Sequence, residues 1–124
     1  MLGEVGGWDN SGMNKTSIEA LVRELRAKSD ATGKKVVSAT VYGGNEKSLR
    51  QTLIVIAAGG ELGEYGSPKE ATIYVLSGRI TLEAASESES WRGRVGTLLV
   101  MPPGRCKITA DEDAALLVTV SVRR

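Results

Sequence analysis

The chain is 124 residues long, with 16 Lys and Arg against 15 Asp and Glu, one cysteine and no histidine. That length makes one domain able to bury a core without disulfides or metals. The charges nearly cancel and the basic residues are scattered in pairs, which excludes nucleic acid as the expected partner; one cysteine makes no internal disulfide, and no run approaches the ~20 apolar residues of a membrane span.

Residues 1–14, MLGEVGGWDNSGMN, are rich in Gly, Asn and Asp without periodicity and read as a flexible arm. They also lack the basic segment and apolar run of a signal peptide, so a cytoplasmic protein is expected. Trp8 is the exception in the arm, an anchor suited to docking across a neighbouring subunit.

From Thr16 the pattern changes. Thr16 and Glu19 have capping-box spacing, and Ile18, Leu21, Val22 and Leu25 then share one helical face. This predicts an amphipathic helix over about 16–29, packed outside a sheet and ending before Gly33. Its apolar face is too short and too poor in aromatics for a membrane-surface helix.

Beyond Gly33 the chain reads as strands. Runs rich in β-branched residues recur at 36–42, 49–58, 71–77, 79–84, 96–101, 106–109 and 114–122, separated by turn signals. Such spacing predicts a sandwich or barrel. LSGRI reads as a tight hairpin with Gly78 at the positive backbone angle, and ASESESWRG as a polar hairpin. Pro102 and Pro103 donate nothing to a ladder, so the strand before them must stop or leave the sheet.

Two segments, AAGGELGEYGSPKEATIYVLSGRI and GTLLVMPPGRCK, match a known pattern. The first echoes GxxxxxHxHxxx(x)E followed by xxxxxxG, from Gly59 to Gly78. The second echoes GxxxxxPxGxxH through Gly96, Pro102 and Gly104. Together they resemble the two motifs of the cupin superfamily, and the likeness spans roughly residues 35–122. The resemblance implies an all-β fold, a double-stranded β-helix or cupin jelly-roll barrel with one N-terminal amphipathic α-helix. Residues 15–124 then form a single cupin domain behind the 1–14 arm, with the barrel over about 35–122.

The ligands of the family pattern are missing. Tyr65 and Ser67 stand at the first two histidine positions, Ala71 at the glutamate with Glu70 one residue off, and the last histidine falls on Lys107 by strict spacing or on Cys106 by the spacing of small PPxRHS-type members. Tyr65, Glu70 and Cys106 make a poor substitute ligand set, because a phenol ionises only near ~10. No metal and no cofactor are therefore expected. Cys106 lies between Arg105 and Lys107, yet without a histidine base the expectation is a buried apolar filler and no catalytic residue.

The leading expectation is a metal-independent module that binds a small molecule or serves a structural role, as a homodimer assembled through the arm and the strand VVSATVY. Candidate pocket residues are Arg50, Gln51, Tyr65 and Ser67 from the first half of the barrel. Glu70, Met101, Cys106 and Lys107 complete the set. The alternatives are a filled barrel with Tyr65 and Met101 in its core, and a cupin enzyme. The enzyme would use a Lys107, Glu70 and Tyr65 proton shuttle, or a metal-dependent oxygenase chemistry with non-histidine ligands.

Overall fold

The structure is a computed structural model that describes residues 15–43, 47–66, 70–84, 90–102 and 104–121, with the backbone alone at 64–66. The expected arm and Trp8 lie outside the described residues. Among the described residues no helix is long and apolar enough to cross a membrane.

Helix α1 (Ile18–Thr32) buries Leu21, Leu25 and Ser29. Its cap is Ser17 and not the Thr16 capping box: the Ser17 hydroxyl accepts a hydrogen bond from the Ala20 amide at 3.2 Å. At the other end Gly33 adopts φ +79°, left-handed backbone that glycine enters without strain, and its amide closes on the Ser29 carbonyl at 2.9 Å. Ser29 Oγ then donates to the Lys34 carbonyl at 2.6 Å, fastening the helix end to the strand that follows.

Among the described residues nine strands follow: β1 (Val36–Tyr42), β2 (Leu49–Ile56), β3 (Glu61–Gly66), β4 (Ala71–Ser77), β5 (Arg79–Ala84), β6 (Ser90–Arg94), β7 (Leu98–Val100), β8 (Arg105–Ala110) and β9 (Ala114–Ser121). They form a five-stranded sheet ordered β1-β2-β9-β4-β7 and a four-stranded sheet ordered β3-β8-β5-β6, with antiparallel pairing throughout. The all-β jelly-roll expectation is the observed fold, with one helix outside among the described residues.

The inner faces of the two sheets make one core of Ile, Val, Leu and Ala, in which Ile56, Ile73, Val75, Ile80, Leu82, Ile108 and Leu116 are fully buried. A second, smaller cluster joins Leu21 and Leu25 of α1 to Val37, Leu53, Val55 and Ala115 on the outer face of the five-stranded sheet. Strand β2 therefore has apolar side chains on both faces, and its last four residues are buried in succession.

LSGRI is not a hairpin. β4 pairs with β7 and β9, whereas β5 pairs with β6 and β8, so Gly78 is the corner where the chain passes from one sheet to the other. Its φ is +78°, and an added Cβ would overlap the Asp113 carbonyl oxygen, so conformation and space both require glycine there. β5 and β6 pair in register from Arg79–Arg94 to Glu83–Ser90, and residues 85–89 of the expected polar hairpin lie outside the described residues.

Candidate functional site

The inside of the barrel is where the sequence places a site, and β8 shows how that space is used. Alternation along RCKITA turns Cys106, Ile108 and Ala110 inward and leaves Lys107 and Thr109 outside. Cys106 faces Tyr65 of β3 and Ala84 of β5 across the ladder. It is 1% exposed and sits in the core with Met101, Ala71 and Leu82. Its Sγ makes a long contact of 3.9 Å to the Pro102 carbonyl, and burial pushes the thiol up from its ordinary pKa.

Of the expected pocket residues, Met101 and Cys106 meet inside, and both are packed as core. Arg50 pairs with Val120, whose side chain belongs to the inner face, so Arg50 stands on the inner side at the exposed end of β2. Gln51 belongs to the opposite face: its Nε2 donates to Thr119 Oγ1 at 3.2 Å outside the barrel. Glu70 is exposed, and alternation from the buried Ala71 directs it outward. Lys107 is outside as well, with Nζ 3.7 Å from Glu83 and 3.9 Å from Glu61. Ser67 and the side chain of Tyr65 lie outside the described residues.

That placement separates the two spacings: of Cys106 and Lys107, only Cys106 points inward. Of the Lys107, Glu70 and Tyr65 set, Lys107 and Glu70 stand on outer sides, and the Tyr65 side chain lies outside the described residues.

The same geometry bears on the metal that the resemblance implies. The chain has no histidine, and among the described residues no three Cys, Asp or Glu side chains converge. Cys106 faces inward as a thiol whose ionisation is opposed by apolar burial, and a metal ligand must be the thiolate. The described donor set does not fit such a centre.

A different cluster, absent from the sequence reading, forms on the outer face of the four-stranded sheet. Arg79 pairs directly with Arg94, and Arg92 stands opposite Thr81, so three guanidinium groups leave the same face. With Ile80, Gly93, Thr97, Asp111 and Glu112 they line a groove of about 500 Å³. Basic residues that look scattered along the chain are thus gathered by strand register. The spacing Arg92-x-Arg94 in a strand carried the signal, because residues two apart share a face.

No protein-family model matches the sequence, and no curated protein is similar to it by sequence. Solved structures are similar in fold. A conserved protein of unknown function from Streptococcus pyogenes is 27% identical with a TM-score of 0.62, over 72% of this chain and 75% of that one. An RmlC-like cupin protein from Desulfovibrio desulfuricans is 22% identical with a TM-score of 0.63, over 73% and 85%. A cupin superfamily protein from Desulfitobacterium hafniense is 13% identical with a TM-score of 0.65, over 73% and 80%. With antiparallel strands wound into two facing sheets around one apolar core, this chain has the cupin jelly-roll fold.

Proposed function

We propose that this chain is a metal-independent cupin-type module that acts through assembly as a homodimer and not through chemistry inside its barrel. The observation that carries this reading is Cys106, buried to 1% exposure among apolar side chains at the position where the family pattern has its last ligand. Among the described residues the inner faces are lined mainly by Ile, Leu and Val side chains, which favours the outer faces as the place of function.

The five-stranded sheet supports a contact at its β7 edge. Tyr74, Leu98 and Val100 are 40%, 59% and 73% exposed, and their register puts them on one face. The expected contact through VVSATVY is less suited, because α1 already packs on Val37, Ala39 and Val41 of β1. Edge-to-edge pairing of two β7 strands about a two-fold axis would continue the sheet and match this apolar patch with itself. A formal net charge of +1 opposes such pairing only weakly. The unpaired cysteine suits a reducing compartment, the cytoplasm.

A second reading, a small molecule held at the barrel rim, is favoured by the inward-side position of Arg50, whose guanidinium would take a carboxylate or phosphate. Elemental analysis and solution mass test the main proposal together. Protein purified without chelator is expected to carry no stoichiometric metal and to run as a dimer at micromolar concentration, with Val100→Arg shifting it to monomer. Stoichiometric iron, nickel, manganese or zinc overturns metal independence, and a monomeric wild-type mass overturns the assembly.

A further inference from the structure

The arginine groove on the four-stranded sheet is a second place where the molecule has something to bind, and it is independent of the β7 edge. Side chains directly opposite in an antiparallel pair have Cβ atoms about 4.5–5.5 Å apart, and like charges there are destabilising. Arg79 and Arg94 are such a pair, with Arg92 on the diagonal. The fold keeps this repulsion on an exposed face.

Its neutralisation is incomplete. Arg79 Nε lies 3.6 Å from Glu112, but both side chains are more than half exposed, so water screens the pair. Asp111 is engaged elsewhere, accepting a hydrogen bond from the Thr81 hydroxyl at 2.8 Å. Among the described residues no carboxylate ion-pairs with Arg92 or Arg94.

The walls are fixed by backbone contacts. Thr97 closes the β6–β7 turn, its amide donating to the Arg94 carbonyl at 2.8 Å and its Oγ1 accepting from the Arg94 amide at 3.1 Å. On the far side the Asp111 amide donates to the Arg79 carbonyl at 2.8 Å. Both arginines that face each other are thereby anchored at their backbones, and the space between the walls, about 500 Å³, is that of a small-molecule site.

We propose that this groove binds a small organic oxyanion, a carboxylate or phosphate that also bears hydroxyl or amino donors. A guanidinium presents paired N–H donors that match two oxygens of such a group, and one oxyanion between Arg92 and Arg94 relieves the repulsion with Arg79. The carboxylates of Asp111 and Glu112 on the rim accept hydrogen bonds from the donors of the ligand. They also disfavour a long bare polyanion, which agrees with the absence of a wider basic stripe.

Titration calorimetry with inorganic phosphate and with citrate, each against chloride at matched ionic strength, tests the site. Saturable binding of phosphate, of citrate or of both supports it and tells which oxyanion is preferred. Arg92→Ala/Arg94→Ala should weaken that binding about tenfold or more, the effect of losing charge-assisted hydrogen bonds. Lys107→Ala, on the same sheet face but paired with Glu61 and Glu83, should leave it unchanged. In chloride alone Arg94→Ala should melt at the same temperature as wild type or slightly above, because it removes a like-charge pair. No saturable binding of either anion, or equal binding by the double variant, overturns the proposal.

Discussion

The two sheets have cores of the same chemistry and outer faces of different chemistry. Inside, Ile73, Val75 and Leu116 of the five-stranded sheet meet Ile80, Leu82 and Ile108 of the four-stranded one, all at most 1% exposed. Outside, the five-stranded sheet carries apolar side chains, covered by α1 over β1 and β2 and uncovered at Tyr74, Leu98 and Val100, beside the Gln51–Thr119 pair. The four-stranded sheet carries Arg79, Arg92 and Arg94 at one end and the Glu61, Lys107 and Glu83 group further along. Alternation in a strand lets the two faces vary independently, so this chain keeps the interior that defines the fold while its outer faces carry the distinguishing chemistry.

Substitutions can test that division, beginning where the sheets join. Gly78→Ala places a Cβ against the Asp113 carbonyl at a positive φ, and should cost about 3 kcal/mol or more in denaturant unfolding, since strain and overlap add. Wild-type stability in that variant would mean the corner is slack. Leu82→Ala, inside the barrel, and Leu53→Ala, beneath α1, should each lose about 2–5 kcal/mol, both side chains being fully buried. If Leu53→Ala costs nothing, α1 is not part of the folded core and the two halves of the five-stranded sheet's outer face are alike.

Smaller effects separate inside from outside within β8. Burial raises the Cys106 thiol pKa in the folded state, so the unfolded chain releases that proton first as pH rises. The stability tied to this neutral thiol is fully present below the ordinary thiol pKa of about 8.5 and is lost as pH climbs from there toward the raised folded value. Thermal melts between neutral and alkaline pH should show this loss in wild type and not in Cys106→Ala. An unchanged pH slope would place the thiol in water. Last, Lys107→Ala should change stability by less than about 1 kcal/mol at any pH near neutral, since Lys107, Glu61 and Glu83 side chains are 44–53% exposed.

Strands whose β-branched residues are bounded by turn signals were legible directly: β1, β4 and β5 occupy the predicted 36–42, 71–77 and 79–84. β3, ELGEYG, was not, because its two glycines and two glutamates carry no strand preference and its conformation comes from pairing with β8. The Gly78 turn illustrates a different limit. Local turn chemistry reports a change of direction, whereas which strands pair afterwards is settled by the whole barrel.

The candidate site divides in the same way. Motif spacing left Cys106 and Lys107 as rivals, and the alternation of CKITA, apolar at 106, 108 and 110, already favoured Cys106 inward. Gln51 was misplaced because β2 is buried on both faces at its far end, where alternation carries no information about which side is the barrel. The arginine groove needed the register of β5 against β6, a relation no single segment contains.

Strand β9 lies in the middle of the five-stranded sheet, paired along its length with β2 on one side and with β4 on the other. It is also synthesised after the other described strands. Until Ala114–Ser121 has emerged from the ribosome, β2 and β4 each keep an open edge, with Ile54, Ile56, Ile73 and Val75 awaiting the strand that joins them. The barrel therefore closes in a late step, and any pause before β9 holds two adhesive strand edges open in the nascent chain, a window in which chaperone capture and aggregation compete.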